Sequence, residues 1–317
     1  APGFLEAEGF DMPLFVRGEY KQPAAIVPRR YLEVFDTKAF VTTGSGRLEL
    51  AAKIAAADNP LTARVMTNRL WHHVFGRGLV GTVDNFGRLG DQPTHPELLD
   101  YLAKRFVSQQ WSLKAMLREL LLTDAFQRSS LPTTSAQAKD ADNSLLSHVR
   151  VRRLGGEALR DSLITLSGRM EHRMYGPGDN AMGPPHQQVR RSVYLNIRRN
   201  SLNSLITTFD GPKPFTTVGR RDATNVPAQS LTLLNSPFVI DTAKQWARTL
   251  NLKKQSDADK VDTLFTQALA RKATPAEQSA AARYLADLKA AHTENPAMVW
   301  ADFAQSVLNL KEFLYLK

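Results

Sequence analysis

The sequence predicts a mostly α-helical protein with a few short strand-like segments and an irregular, arginine-rich middle. Apolar residues recur at helical spacing over several long stretches. Helix-start residues precede several of these stretches, and alternating apolar and polar residues occur only in short segments. With 317 residues, of which 43% are hydrophobic, the chain can bury a substantial core in one large domain or two smaller ones.

The first region, residues 1–58, is predicted to be an extended N-terminal arm that ends in a short helix. Residues 12–18 form one short strand, and residues 48–57 form the helix. That helix stops before Asn59 and Pro60, which start the next one. Asn59 can accept hydrogen bonds from free N–H groups, and Pro60 fits a first helical position, where no donor is needed.

The second region, residues 59–150, is predicted to be a helical hairpin region around which the chain is organised. We expect Gly76 to end its first helix in the left-handed conformation. Thr94 and Glu97 have the spacing of a capping box for the second helix, and Ser112 caps the third. The expected helices are residues 60–75, 95–108 and 112–126.

The third and fourth regions are the arginine-rich middle, residues 151–225, and a helical C-terminal part, residues 226–317. Ser256 is the expected cap of one C-terminal helix, and Thr274 with Glu277 forms a second capping box. We expect all four regions to form one composite domain. The helices predicted here are residues 156–169, 257–270, 276–290 and 296–312, with a strand-like segment at 192–197.

One face of the first hairpin helix carries polar and aromatic residues that a purely structural helix does not need. These are Arg64, Asn68, Trp71 and His72, at positions i, i+4, i+7 and i+8. They either brace the following loop through hydrogen bonds or grip an anionic or planar ligand. The structural interpretation leads, and the four residues are kept as candidate ligand-binding residues.

The middle of the chain carries most of its positive charge. Residues 150–221 contain twelve arginines and one lysine against five acidic residues, a net charge of +8 of the +10 of the whole chain. Arginine is preferred where a planar fork must hold carboxylate, sulfate or phosphate. A single arginine more often pairs internally, but for the cluster we expect an anion-binding surface. Its candidate residues are Arg190, Arg191, Arg198, Arg199, Arg220 and Arg221.

No catalytic or metal-binding motif stands out. The seven histidines form no H-E-x-x-H pair, and the absence of cysteine excludes disulfides, thiolate metal sites and covalent haem attachment. We therefore predict no metal site and no cofactor in this chain. Catalytic residues are unknown, although a carboxylate pair for glycoside hydrolysis could come from Glu97, Glu157, Asp161 or Asp210.

Several long motifs resemble a planctomycete-specific domain of unknown function. The central ones are NPLTARVMTNRLWHHVFGRGLV, DNFGRLGDQPTHPELLDYLA and QQWSLKAMLRELLLTDAFQRSS. The resemblance continues in FVRGEYKQP, RRLGGEALRDSLITLSGRM, RRSVYLNIRRN, FDGPKPFTTVGRRDATNVPAQSLTLLNSPFV and VWADFAQSVLNLKEFLYLK. It covers nearly the whole chain.

The resemblance implies a setting but no reaction. Such domains lie C-terminal to a cytochrome-c-type domain in exported proteins, so this chain is expected to be a fragment of a periplasmic or envelope-associated protein. Its haem is expected only on the upstream domain of the same polypeptide. The family has no established catalytic residues to carry over.

These observations favour an accessory binding domain that presents a basic surface to an acidic ligand. Sulfated or uronic polysaccharide and the acidic face of another protein both suit it. The alternative is an enzyme acting on polysaccharide, with a site between the Arg64, Asn68 and His72 face and the arginine-rich middle. A sequence pI of about 9.8 also suggests nucleic acid, but no basic–aromatic motif accompanies it, so we expect none to bind.

Overall fold

The computed structural model of the chain describes residues 3, 5–6, 8–251 and 255–316. It contains two compact units, Ala1–Phe126 and Gln127–Lys317. Helices account for 47% of the residues, well above the ~30–35% of an average soluble protein. The predicted mostly α-helical fold with a few short strands is therefore confirmed, while the grouping of four regions into one composite domain stays a prediction.

Among its described residues, the first unit contains a two-stranded hairpin and four α-helices. Strands β1 and β2 are antiparallel, with Met12 opposite Val27 and Pro13 opposite Ile26. Helix α2 packs against both α3 and α4. The elements are β1 (Met12–Phe15), β2 (Pro23–Val27), α1 (Arg47–Ala55), α2 (Thr62–Phe75), α3 (Pro96–Ser108) and α4 (Leu113–Leu121).

The second unit contains nine helices and two further pairs of short strands among its described residues. Strand β3 pairs antiparallel with β6, and β4 pairs parallel with β5. The elements are α5 (Thr134–Lys139), β3 (Arg152–Arg153), α6 (Gly156–Leu166), β4 (Asp179–Asn180), β5 (Leu195–Asn196), α7 (Ser204–Thr208), α8 (Pro227–Asn235), α9 (Pro237–Asn251), α10 (Asp257–Leu269), α11 (Pro275–Ala291), α12 (Ala297–Leu308), α13 (Lys311–Leu314) and β6 (Tyr315–Leu316).

Local residues explain where the first unit's helices start and stop. The side-chain oxygen of Asn59 accepts hydrogen bonds from the N–H groups of Leu61 and Thr62, at 2.9 and 3.2 Å. Gly76 ends α2 with a φ of 82°, as predicted. The hydroxyl of Ser112 caps α4 by accepting from the N–H of Ala115. The predictions for Gly76 and Ser112 are confirmed, and Asn59 caps as expected. The prediction that Pro60 takes the first helical position is wrong, because α2 begins two residues later, at Thr62.

The capping box predicted for α3 is wrong. The helix begins after His95, and no side chain caps it. Thr94 instead donates both its N–H and its hydroxyl to the carbonyl of Leu79, at 2.9 and 3.3 Å. These two hydrogen bonds connect the ends of the loop between α2 and α3. The hydroxyl of Thr94 therefore does not cap the helix.

The core of the second unit is built around α9, which packs mainly against α12. Trp246 of α9 is fully buried, and its indole N–H donates to the side-chain oxygen of Gln267 at 2.6 Å. Helices α6, α10 and α12 supply the surrounding apolar side chains. Helix α9 was not predicted, although it holds the centre of this core.

The C-terminal predictions are largely confirmed. Ser256 caps α10, and Thr274 with Glu277 makes the predicted capping box at the start of α11. The single helix expected over 296–312 is two helices, since α12 ends at Leu308 and α13 begins at Lys311. Among the residues that the structure describes, no helix is long and apolar enough to cross a membrane.

Candidate anion-binding site

Two of the four candidates on α2 are structural. Asn68 has 0% exposure, and its amide group both donates to and accepts from the backbone of Val80, at 3.1 and 2.9 Å. A Cβ at Gly78 would lie 2.5 Å from the carbonyl oxygen of Val80, so only glycine fits this approach. Trp71 is also buried and stacks on Phe75. Asn68 therefore holds the loop that follows α2, and Trp71 packs in the core. We withdraw both as ligand-binding residues.

Arg64 and His72, the other two candidates on α2, lie partly at the surface. The guanidinium of Arg64 donates to Asp100 and to the carbonyl of Pro60, at 2.6 Å each. Its hydrogen bond lowers the pKa of the Asp100 carboxyl. The ring of His72 lies edge-on to His73. Arg64 therefore joins two helices of its own unit, and nothing in the geometry directs it to a ligand.

Arg190, a candidate for the anion surface, is buried instead. Its side chain is 1% exposed and donates to the carbonyl oxygens of Arg173, Tyr175 and Pro177 at 2.8–3.2 Å. Its guanidinium also lies 3.3 Å from Asp179. All of this bonding is internal, so the prediction that Arg190 faces an external anion is wrong.

Arg160 is a second buried arginine of this kind, and we did not predict it. It lies on α6 between apolar residues and is 0% exposed. Its guanidinium donates to the carbonyls of Gln188 and Arg190 and to the hydroxyl of Ser192, at 2.9–3.2 Å. Burial lowers the pKa of Arg160 to about 10. Its position on the apolar face of α6, beside Leu159, was the available clue.

Two exposed arginines, Arg191 and Arg221, line a cleft in the second unit. The cleft has a volume of about 630 Å³ and lies beside α6, α7 and the turn Ser192–Tyr194. Most of its walls are apolar. The apolar wall residues are Ala158, Val193, Leu195, Ile197, Leu202, Ile206, Pro212 and Pro214.

Two ion pairs stand on the wall of the cleft formed by α6. Arg221 donates to Glu157 at 2.7 Å, and Arg191 lies 3.7 Å from Asp161. Asp161 also accepts hydrogen bonds from the N–H and the hydroxyl of Ser192, at 2.7 Å each. Glu157 and Asp161 are four residues apart, so they share one face of the helix. Both carboxylates therefore already contact guanidinium groups on this wall.

Further cations without such partners neighbour the wall residues in the sequence. Arg198 and Arg199 directly follow the wall residue Ile197, and Arg220 directly precedes Arg221. All three are exposed, and within the described part of the chain no carboxylate forms an ion pair with any of them. Lys213, also exposed, lies between two prolines of the wall. We call Arg191, Arg198, Arg199, Lys213, Arg220 and Arg221 the basic rim.

The remaining candidate carboxylates lie outside the lining of the cleft. Asp210 binds Arg153 and Thr224, and Glu97 belongs to α3 of the first unit. No group of three potential metal ligands occurs among residues with described positions. The site's chemistry is thus that of an apolar cleft bordered by guanidinium groups.

Comparison with protein families gives a match. The family whose description reads "PSD1: Protein of unknown function (DUF1553)" matches residues 46–285, well over half of the chain. No curated protein and no solved structure matches. The match confirms the resemblance to a domain of unknown function.

Proposed function

Because the chain belongs to the PSD1 family of proteins of unknown function, DUF1553, we propose a function from the chemistry of its cleft. The domain is an accessory binding domain whose basic rim holds an acidic ligand. Our first choice of ligand is an acidic polysaccharide, sulfated or uronic. An acidic protein surface is the second choice.

The observation that carries this proposal is the lack of internal partners for Arg198, Arg199 and Arg220 among the described residues. An exposed guanidinium without a carboxylate partner keeps its donors for a ligand, and arginine matches sulfate and carboxylate geometry. Clustered charge of one sign also raises the local concentration of an oppositely charged ligand. The basic rim therefore favours anions in general.

The shape of the cleft favours a narrow chain over a broad protein surface. Ligand sites have volumes of ~300–1,000 Å³, and the cleft, at about 630 Å³, lies within that range. A standard protein interface instead covers roughly 800 Å² on each partner. The apolar walls can pack against sugar rings while the rim binds their charged groups.

We also propose the cellular setting that the resemblance implies. The domain acts in an exported protein at the periplasm or envelope, C-terminal to a cytochrome-c-type domain that carries the haem. On this proposal the upstream domain performs the redox chemistry, and this chain keeps it near an acidic polymer.

Binding of dextran sulfate and of a uronic polymer, with neutral dextran as the control, tests the proposal. Affinity should fall steeply between ~50 and ~200 mM salt, because a polyanion releases condensed counterions on binding. Arg198→Glu/Arg199→Glu/Arg220→Glu should abolish binding. Lys244→Glu/Arg248→Glu/Arg283→Glu, an equal charge change at exposed positions of α9 and α11, should retain most of it.

Both triple variants should keep stability close to that of the parent, since surface substitutions usually change it by about 0.5 kcal/mol or less each. Equal weakening by both triples would show that only net charge matters and would contradict a rim site. The alternative of a polysaccharide-acting enzyme is not favoured, because Glu157 and Asp161 are ion-paired. Release of new reducing ends from the same polymers would reverse that judgement.

A further inference from the structure

The interior of the large cleft is aliphatic. Its described apolar wall residues are alanine, valine, leucine, isoleucine and proline, and none of them is aromatic. Val193 and Ile197 are 74% and 52% exposed, so branched side chains on this wall are in contact with water. Apolar groups that share one concave wall are covered favourably by an apolar ligand. The cations that carry the polymer proposal, Arg198, Arg199 and Arg220, lie outside this lining.

The uncharged polar side chains of the interior are already hydrogen-bonded within the protein. The hydroxyl of Ser192 donates to Asp161 at 2.7 Å. The side-chain amide of Asn203 donates to one backbone carbonyl and accepts from one backbone N–H, at 2.9 and 3.2 Å. The hydroxyl of Thr207 donates to a backbone carbonyl at 2.9 Å. An acidic polymer can lie across the rim, but polar groups deep in the cleft would find few free partners there, which costs free energy. The interior itself therefore favours a hydrocarbon chain.

Arg191 brings a cationic group with free donors to this aliphatic interior. It lines the cleft, and its side chain is 63% exposed. The carboxylate of Asp161 lies 3.7 Å away, and the Arg191 guanidinium forms no hydrogen bond among the described residues. Asp161 is itself occupied by the N–H and the hydroxyl of Ser192. The guanidinium thus keeps a fork of donors whose geometry matches a carboxylate.

We propose that the cleft binds a straight-chain fatty acid, with its carboxylate on Arg191 and its alkyl chain along the aliphatic wall. Ligand sites are mostly apolar with a few charged groups and have volumes of ~300–1,000 Å³, and this cleft of about 630 Å³ fits that description. Leu195 and Ile206, each 7% exposed, belong to the wall against which the chain packs. Arg221, paired with Glu157 at 2.7 Å, supplies a second guanidinium on the same lining.

Titration of the whole chain with hexanoate, octanoate and decanoate, all below their micelle concentrations, tests this proposal. Burial of one methylene group is worth ~0.8 kcal/mol, so affinity should rise about fourfold for each methylene group added. Methyl NMR signals of Leu195 and Ile206, which line the cleft, should shift and saturate, and those of Leu285, in the core, should not. Octanol, which has the chain of octanoate without its charge, should bind several-fold more weakly.

Ala158→Trp is the blocking variant. Ala158 lines the cleft from an exposed position of α6, so bulk added there enters the cleft and not the core. The variant should lose octanoate binding. Ala280→Trp, at an exposed position of α11 outside the described lining, should keep it. Arg191→Gln should weaken octanoate binding several-fold and still show the fourfold gain per methylene group, because only the carboxylate loses its partner.

Equal affinity for hexanoate and decanoate in the parent protein overturns the proposal, and this result needs no variant to fold. Unmoved Leu195 and Ile206 signals overturn it too, as do equal binding of octanol and octanoate or undiminished octanoate binding by Ala158→Trp. Dextran sulfate binding is measured on the same samples. Polymer binding without the chain-length dependence would exclude the fatty acid alone, and chain-length dependence without polymer binding would exclude the polymer alone.

Discussion

Arg190 and Arg191 are adjacent in the sequence and carry the same charge, but their environments are opposite. The side chain of Arg190 is 1% exposed, whereas that of Arg191 is 63% exposed. The same contrast separates Arg153 and Arg160, which are buried, from Arg198 and Arg199, which are exposed. The arginine-rich middle is therefore two populations of one residue type.

The buried population replaces the hydrogen bonding that regular secondary structure would provide. Residues 171–203 contain only two-residue strands and single turns, so many of their carbonyl groups lack a ladder partner. Arg190 supplies donors to three such carbonyls, and Arg160 supplies donors to two more. A planar fork with five donors suits this role. The lesson is that arginine density in an irregular segment can indicate an internal framework as well as a binding surface.

The largest effect expected from this comparison is on stability at Arg190. Arg190→Ala should lower the free energy of unfolding by about 3–5 kcal/mol, because it leaves Asp179 without its buried partner and several carbonyls without donors. Arg198→Ala, the matched exposed control, should change it by about 0.5 kcal/mol or less. Urea unfolding measures both. Similar small losses for the two variants would contradict the division into two populations.

A smaller effect is expected at Arg271, which is intermediate in exposure at 34%. Its guanidinium binds Glu277 and Glu312 and, with the backbone bond at Thr274, lowers the pKa of Glu277 from 4.5 to about 2. A carboxyl whose pKa is lowered by folding stabilises the folded state at pH values above its pKa in the unfolded chain. Stability should thus fall as the pH drops from 4.5 towards 2.

Glu277→Gln should reduce the part of this pH dependence that comes from the ion pair. Glutamine can keep the capping geometry, so the change isolates the charge. The urea midpoint, measured across this pH range, should vary less in the variant than in the parent. Glu294→Gln, at an exposed position, is the control and should leave the pH dependence unchanged. If the stability of Glu277→Gln depends on pH as strongly as that of the parent, this ion pair is not a source of acid sensitivity.

Only a small stability effect is expected at Arg191. Its contact with Asp161 is 3.7 Å long and exposed, so Arg191→Ala should cost about 0–1 kcal/mol. The same variant should nevertheless weaken binding of dextran sulfate, because Arg191 lines the cleft. Urea unfolding beside a binding titration separates the two roles. A large loss of stability would show that Arg191 is a structural arginine like Arg190 and Arg160.

Helix ends were predictable wherever the determining residues lie within one turn. Ser112, Ser256 and the Thr274–Glu277 pair cap helices as expected, because a cap needs only a side chain and the next few N–H groups. Thr94 shows the limit of this logic. Its spacing to Glu97 is correct, but Leu79, 15 residues earlier, takes its hydroxyl.

Helix α9 is a prediction that could have been made. Phe238, Val239, Ala243, Trp246 and Ala247 follow helical spacing and are all buried. The prolines at 227 and 237 each lie in the first turn of a helix, where proline is well tolerated. They are therefore compatible with the helical spacing of the apolar residues that follow.

The sequence by itself determined the mostly helical fold, most helix starts, family membership and the excess of positive charge in the middle. All of these depend on residue types, on neighbours within a turn, or on long motifs. Only the tertiary structure decided which arginines are internal. Arg160 reaches the carbonyl of Arg190 across 30 positions, and Arg190 reaches that of Tyr175 across 15. Burial depends on such distant partners, because a guanidinium enters the interior only where carbonyl and carboxylate oxygens from other segments converge around it.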